Sequence, residues 1–243
     1  MKIFGDYHTH TIYSHGKGTI EDNVKEAINK GLKEIVISDH GPGHVLFGVK
    51  PSNLYVMRKE IDELQKKYTS IKIMLGLEAN IISINGDIDV SKEQFRLLDK
   101  LLVGFHFGVF GKTVVDTDKL FLRPRIGKII PNMKLSNKEN VTFAIINAIR
   151  RNKIDILTHP GDKTPVDIAQ IANVAKQYGT LLEINEGHKH LTIEDAKIAL
   201  KAGAYFVINS DAHISSKVGE VSGAIEIAIK AGIPMDRIKN IQK

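Results

Sequence analysis

Short apolar segments alternate with amphipathic segments along the whole chain. The apolar segments are rich in Ile, Val and Leu and are mostly hydrophobic on both faces, which is typical of strands buried on both sides of a parallel sheet. This pattern predicts seven strands, at residues 2–7, 34–38, 72–77, 101–105, 154–158, 181–185 and 205–209.

The segments between these strands have the signals of helix ends. Four of them begin with the pattern of a capping box, in which a Ser or Thr precedes an acidic or amide residue by three positions. Glycine then follows several predicted helices, as expected at a helix C-terminus. The capping boxes start at Thr19, Ser91, Ser136 and Thr192, and the closing glycines are Gly31, Gly179, Gly203 and Gly232.

Seven strands that alternate with helices predict an α/β fold of (β/α)7 type, a TIM-like barrel with one repeat fewer. An open doubly wound sheet is the alternative. The barrel is favoured because candidate ligands follow six different strands, whereas an open sheet gathers its ligands near one switch point. We expect one domain over residues 1–243, with an irregular insertion at 107–135 that is a candidate lid or substrate loop.

The composition narrows the chemistry. The chain of 243 residues has no cysteine, so disulfides and thiolate metal ligands are excluded. It has neither a signal-peptide pattern nor a run of about 18 apolar residues, so we expect a cytoplasmic protein without a membrane partner. It has no P-loop and no G-x-G-x-x-G motif, which leaves a nucleotide cofactor without support.

The net charge of +6 raises the question of an anionic partner. Most lysines are interspersed with acidic residues on predicted helix faces, so a solvated surface is favoured over a nucleic-acid interface. The exception is the segment 112–134, where six basic residues accompany only two acidic ones and could steer an anionic substrate. Those six are Lys112, Lys119, Arg123, Arg125, Lys128 and Lys134.

Histidines and carboxylates are concentrated just after the predicted strands. None of these histidines lies inside a predicted helix, whereas histidines placed at random would be scattered over helices as well. Because parallel strands of a barrel end at one face, we expect these side chains to meet there as a multinuclear metal centre with imidazole and carboxylate ligands. The candidate ligands are His8, His10, His15, His40, Glu78, His106, His159, Asp211 and His213.

Other polar residues near the strand ends are weaker candidates. His188 and His190 repeat the H-x-H spacing of His8 and His10, but they lie in a polar loop, and we expect them to be outside the centre. His44 follows in a Gly-Pro-Gly loop where it could contact a substrate. Glu183 and Asn185 are candidates for supporting metal ligands or for polar positions inside the barrel.

The order of these motifs resembles the PHP (polymerase and histidinol phosphatase) superfamily. The chain has H-x-H, then D-H, then an acid in G-x-E-x-N, later single histidines and a final D-x-H, from Met1 to about Ile229. The resemblance implies a distorted (β/α)7 barrel with three divalent metal ions, which could be Zn, Mn or Fe. It assigns one ion to His8, His10, Glu78 and Asp211, a second to Glu78, His106 and His159, and a third to His15, His40 and His213.

The resemblance further implies a metal-dependent phosphoesterase. We expect hydrolysis of a small, histidinol-phosphate-like phosphomonoester by a metal-bridging hydroxide, with Glu78 and Asp211 as the central carboxylates. Asp39 is expected to orient His40 or a neighbouring ligand. The proton for the leaving group could come from a metal-bound water or from His44. Lys112, Arg123 and Arg125 are candidates for binding the rest of the substrate.

Several alternatives stay open at this point. Phosphodiesters, nucleotides and DNA 3′ ends are other substrate classes of the resembled family, and a barrel amidohydrolase uses similar ligands with a different motif order. A non-catalytic, metal-dependent scaffold that binds nucleic acid is a further alternative, although complete ligand sets argue against it. The sequence does not decide the oligomeric state, and a homo-oligomer is compatible with it.

Overall fold

The computed structural model describes residues 1–126 and 134–242, and for residues 134–136 the backbone alone. Its seven strands form one parallel sheet in which each strand pairs with the next one along the chain. The strands are β1 (Gly5–Asp6), β2 (Glu34–Ile37), β3 (Lys72–Asn80), β4 (Lys100–Gly104), β5 (Ile156–Leu157), β6 (Leu181–Asn185) and β7 (Phe206–Asn209).

The sheet closes on itself between its first and last strands. The segment after β1 pairs with the segment after β7 through a parallel bridge between Thr9 and Ala212. The amide of His10 donates to the carbonyl of Ala212 over 2.8 Å, and the amide of Tyr7 donates to Oδ1 of Asn209 over 3.0 Å. The predicted barrel is therefore confirmed over the open doubly wound sheet.

Helices surround the strands in the expected alternation. The longer ones are α1 (Ile20–Asn29), α2 (Asn53–Lys67), α6 (Lys134–Arg151), α7 (Ile168–Tyr178), α8 (Ile193–Lys201) and α9 (Ser222–Lys230). Short helical turns are α3 (Lys92–Phe95), α4 (Val114–Asp116), a π-helical turn (Thr117–Leu122), α5 (Arg123–Ile126) and two 3₁₀ turns (Ser215–Lys217 and Met235–Arg237).

Most of the predicted helix signals are confirmed. Thr19, Ser91 and Thr192 each cap a helix by accepting a hydrogen bond from the amide three residues later. The expected cap at Ser136 is wrong, because α6 begins at Lys134 and includes that position. The four predicted closing glycines, at 31, 179, 203 and 232, all have positive φ, between 71° and 88°, which glycine adopts without strain.

Two apolar layers support the barrel. The larger one lies between the strands and the helices. The smaller one fills the barrel interior with one side chain from each of six strand regions, so the barrel is a packed core and not a pore. That interior cluster consists of Tyr7, Val36, Met74, Leu102, Ile156 and Val207.

The insertion at 107–135 is less irregular than the sequence suggested. Residues 114–126 are helical, and the π-helical turn buries Leu120 and Phe121. The ring of Phe121 stacks on Phe105, directly after β4, with the centroids 5.5 Å apart. This part of the insertion is therefore anchored to the barrel. Residues 127–133, with Lys128, lie outside the described part of the chain, as does the side chain of Lys134.

Candidate metal centre

The nine predicted ligands converge at the C-terminal face of the barrel. They lie in or after six of the seven strands, three of them after β1 and two after β7, and the parallel topology brings these strand ends to one face. Seven of them are buried, and His15 and His213 are half-buried. The buried seven are His8, His10, His40, Glu78, His106, His159 and Asp211.

Glu78 is the common neighbour of these side chains. Its Oε1 lies 2.9 Å from Nε2 of His159 and 3.2 Å from Nε2 of His106. Its Oε2 lies 2.8 Å from Nδ1 of His40 and 3.4 Å from Nε2 of His8. The two oxygens of one carboxylate thus face two different groups of histidines, as a carboxylate that bridges two cations does.

Two triangles of donor atoms have the size expected around a shared ion. Nε2 of His8, Nε2 of His10 and Oδ1 of Asp211 are separated by 3.1, 3.1 and 3.4 Å. Metal–ligand bonds of about 2.0–2.1 Å in a tetrahedral shell place neighbouring donors ~3.3 Å apart. These residues form most of the first ligand set that the family resemblance implies.

The second triangle consists of Glu78 Oε1, His106 Nε2 and His159 Nε2. Its edges are 2.9, 3.2 and 3.4 Å, so it has the same size as the first triangle. This triangle corresponds to the second implied ligand set.

The third implied set is less compact. The ring of His15 lies 4.1 Å from that of His213 and 4.8 Å from that of His40, measured between centroids. Donor atoms that could share an ion at this end are contributed by His10, His40 and His213, and a further group joins His40 to Glu78 and His106. His40 therefore lies between the second and third sets.

Orphaned polar atoms give a separate test of whether a cation fits here. Nδ1 of His10 and Nδ1 of His15 are buried without a hydrogen-bond partner. Buried polar atoms without partners are costly, and coordination would satisfy them. The donor set, which combines imidazole nitrogens with carboxylate oxygens, fits a divalent transition metal.

A buried carboxylate behind the centre fixes the orientation of His8. Oε1 of Glu183 lies 2.8 Å from Nδ1 of His8, which directs Nε2 of the ring toward the other ligands. Glu183 also accepts hydrogen bonds from the amide of His159 and from the side-chain amides of Asn185 and Asn209. In the same way, Oδ1 of Asn80 lies 2.7 Å from Nδ1 of His106. The supporting position considered for Glu183 in the sequence is the one observed.

Asp39 contacts the loop that carries the ligand candidates His10 and His15. Its carboxylate accepts hydrogen bonds from the amide and hydroxyl of Thr11, over 2.7 and 2.6 Å, and from the hydroxyl of Ser14 over 2.5 Å. It is fully buried. Asp39 therefore holds the loop between His10 and His15 in place, and these bonds do not orient the ring of His40.

Two of the ligand candidates have strained backbones. His159 has φ of 27° and Asp211 has φ of 55°, and they are the non-glycine residues with positive φ in the described part of the chain. Such conformations cost on the order of 1–3 kcal/mol and are found mainly at functional sites. Their occurrence at two converging side chains marks this face as functional.

The electrostatics keep the carboxylates ionised. Burial raises the pKa of Glu78, but the neighbouring His106, His8 and His40 outweigh it and hold the pKa well below its usual range. The same balance, with His8 and His10 as the neighbours, holds the pKa of Asp211 well below its usual range. Ionised carboxylates are the form that binds a cation.

The half-buried rings next to the centre are neutral at neutral pH. Burial, with the neighbouring His213 and His40, lowers the pKa of His15 to about 4. Burial, with His40 and His106, lowers the pKa of His44 to about 4. A neutral imidazole can ligate a metal, whereas an imidazolium cannot.

A cavity of about 280 Å³ opens above the centre. His44 lines it, as expected. Its other side is formed by residues that the sequence did not assign to substrate, above all Lys163, together with Asp162 and His188. The presence of His188 here differs from the expectation that this loop lies outside the site. Phe47 and Phe107 form an apolar part of the cavity wall.

The predicted substrate-binding cations lie elsewhere. Lys112 pairs with Asp87 over 3.0 Å, and Arg123 pairs with Asp118 over 2.7 Å. The guanidinium of Arg125 lies 5.9 Å from the ring centroid of Phe107. None of the three is among the residues that line the cavity.

The fold and the site define a class, a seven-stranded α/β barrel with a histidine–carboxylate centre at the C-terminal face of its strands. A model of the PHP domain matches residues 6–187, and the chain belongs to this family. The chain is 33% identical to a "probable phosphatase" of Shewanella pealeana, over 99% of this chain and 89% of that one. It is 32% identical to a "probable phosphatase" of Thermoanaerobacter sp., over 99% and 91%.

Solved structures show the same fold. A histidinol phosphate phosphatase from Lactococcus lactis, determined with Zn, L-histidinol and phosphate, superposes with a TM-score of 0.64 at 16% identity, covering 96% of this chain and 95% of that one. A histidinol phosphatase structure from Listeria monocytogenes superposes with a TM-score of 0.67 at 18% identity, covering 88% and 97%. Within the described residues, every helix is too short or too polar to cross a membrane.

Proposed function

We propose that this protein is a metal-dependent phosphatase that hydrolyses a small phosphomonoester at the centre around Glu78. The observation that carries the proposal is the pair of donor triangles, with edges between 2.9 and 3.4 Å, that Glu78 joins: its Oε1 belongs to the second triangle, and its Oε2 lies 3.4 Å from Nε2 of His8 in the first. The relatives at 32–33% identity over nearly the whole chain are named as phosphatases, which supports the reaction class.

The residues that would hold the ions are those of the two triangles, with His15, His40 and His213 at the third position. When bound, divalent ions would supply Lewis-acid activation of water and neutralise charge on the phosphoryl oxygens. The chain itself contributes the ionised carboxylates of Glu78 and Asp211 and the contacts from Glu183 and Asn80 that aim the rings of His8 and His106.

The cavity suits a small substrate. Its volume of about 280 Å³ lies near the lower end of the ~300–1,000 Å³ that is usual for small-ligand pockets. Lys163, which is ion-paired with Asp162 on the same wall, is the lysine that lines the cavity and can approach an anionic substrate. Phe47 and Phe107 offer an apolar face to the group that carries the phosphate.

In this proposal, His44 does not supply the proton that the leaving group needs. With a pKa of about 4, His44 is neutral at pH 7, so one ring nitrogen accepts a hydrogen bond and the other, Nε2, is left to donate one to the substrate. Its Nδ1 already accepts from the amide of Phe47 over 3.2 Å, which fixes the ring at the cavity mouth.

The test is phosphate release from a panel of substrates by metal-reconstituted protein. The panel contains L-histidinol phosphate, an aryl phosphomonoester, a bis-aryl phosphodiester and a single-stranded oligonucleotide. The proposal expects turnover of the monoesters that a chelator abolishes. Turnover of the diester or the oligonucleotide alone would overturn the choice of a monoester, and inactivity on the whole panel at full metal occupancy would overturn the reaction class.

A further inference from the structure

A second group of side chains that could bind a metal ion lies beside the centre, and none of its members is among the nine predicted ligands. It consists of Asp162, in the loop after β5, and His188 and His190, in the loop after β6. Oδ1 of Asp162 lies 2.7 Å from Nε2 of His190 and 3.5 Å from Nδ1 of His188. One carboxylate oxygen thus faces two imidazole nitrogens at separations close to those of the two donor triangles.

The group is built into the fold. The side chain of Asp162 is 5% exposed, and its Oδ2 pairs with the ammonium of Lys163. The amide of His188 donates to Oδ1 of Asn185 over 2.6 Å, and the amide of His190 donates to the carbonyl of His188 over 2.8 Å. These bonds fix the H-x-H segment so that both rings approach the same carboxylate.

The group also adjoins the main centre. Nε2 of His188 lies 3.7 Å from Oδ2 of Asp211, and the ring of His188 lies 5.2 Å from that of His159, between centroids. Asp162 and His188 both line the cavity. An ion held there would therefore border the space that the substrate occupies.

We propose that Asp162, His188 and His190 bind a further divalent metal ion of the zinc type, in addition to those of the main centre. Two imidazoles and one carboxylate form a three-ligand shell that leaves one position for water or a substrate oxygen. The nitrogen donors favour zinc or a similar transition metal over Mg²⁺ or Ca²⁺, which prefer oxygen ligands.

Lys163 makes this site weaker than the main centre. Its ammonium forms an ion pair with Oδ2 of Asp162 and so opposes a second cation at the same carboxylate. The side chain of Lys163 is 29% exposed and has a flexible stem, so it can move away when a metal binds. The site is expected to fill last during metal titration, and removing the charge of Lys163 should strengthen it.

The experiment compares zinc bound by apo protein and by two neighbouring variants after equilibrium dialysis at the same saturating free zinc. His190→Ala removes an exposed ligand, and Lys189→Ala is the matched control in the same loop. We expect His190→Ala to bind one equivalent less than the wild type and Lys189→Ala to bind the same amount. Equal counts for the wild type and His190→Ala would overturn the proposal.

A second measurement follows the affinity of the weakest zinc equivalent by competition with a chromophoric chelator. Lys163→Gln should tighten that equivalent at least tenfold, and Asp162→Asn should remove it while leaving the circular dichroism spectrum unchanged. An unchanged or weakened last equivalent in Lys163→Gln would contradict the assignment. Both readouts use zinc without substrate, so they stand or fall separately from the proposed phosphatase activity.

Discussion

Nδ1 of His8 lies 2.8 Å from Oε1 of Glu183, and both side chains are fully buried beneath the metal centre. This contact selects which nitrogen of His8 faces the other ligands. A carboxylate in this position commonly raises the basicity of a metal-binding histidine and fixes its ring. Glu183 is thus expected to control metal affinity without touching the ion.

Glu183→Gln tests this relationship. The amide keeps the size of the side chain but loses the negative charge that orients His8, so zinc affinity should fall by about 10- to 100-fold. Zinc competition with a chromophoric chelator measures the change. Glu194→Gln, on the exposed side of α8, is the control, and equal affinities of the two variants would contradict the role of Glu183.

Glu78→Gln tests the bridging carboxylate. Because its two oxygens face two groups of histidines, the variant should lose more than one equivalent of bound metal and its phosphatase activity. Metal content after dialysis, measured by mass spectrometry, gives the count. Loss of a single equivalent would show that Glu78 serves one ion only.

Lys163→Gln and Arg123→Gln separate the observed cavity from the insertion that the sequence favoured. Lys163 lines the cavity, whereas Arg123 is paired with Asp118 outside it. At saturating metal, Lys163→Gln should raise KM for an aryl phosphomonoester by about tenfold, as expected for one lost charge-assisted contact. Arg123→Gln should leave KM within about twofold of the wild type, because it removes only an exposed ion pair. A large rise in KM for Arg123→Gln and none for Lys163→Gln would show that the insertion binds the substrate.

The metal-free protein should lose stability in acid. The pKa values of His15 and His44 are about 4 in the folded protein, below the usual 6.5, so the unfolded chain binds more protons between these values. The stability that their neutral forms allow is therefore complete above pH 6.5, and the free energy of unfolding falls as the pH drops toward 4. Urea unfolding of metal-free protein at pH 7, 5.5 and 4.5 measures how steeply the free energy of unfolding falls with pH. This fall should be smaller in His44→Gln. An equal slope in that variant would contradict the lowered pKa of His44.

The sequence predicted the barrel and the main centre because both depend on regular features. Buried parallel strands leave continuous apolar segments, and their common C-terminal face brings together residues such as His8, Glu78 and His159 that are far apart in sequence. Glu183 was recognisable for the same reason, since an acid inside an apolar strand needs a partner.

The walls of the cavity were less predictable because they belong to loops. Lys112 and Arg123 looked free in a basic segment, yet the fold supplies Asp87 and Asp118 as their partners. Lys163 is a single lysine after the His159 segment, with no pattern around it that indicates a cavity. Loop conformations depend on tertiary contacts that hydrophobic periodicity does not encode.

The most direct test of the central claim couples turnover to metal binding at Glu78. Apo protein is titrated with Zn or Mn while phosphate release from an aryl phosphomonoester is followed, with Glu78→Gln beside the wild type. The account predicts no turnover without metal, a rise only after more than one equivalent has bound, and no rise in Glu78→Gln. Turnover by the metal-free protein, or a full rise in Glu78→Gln, would contradict it.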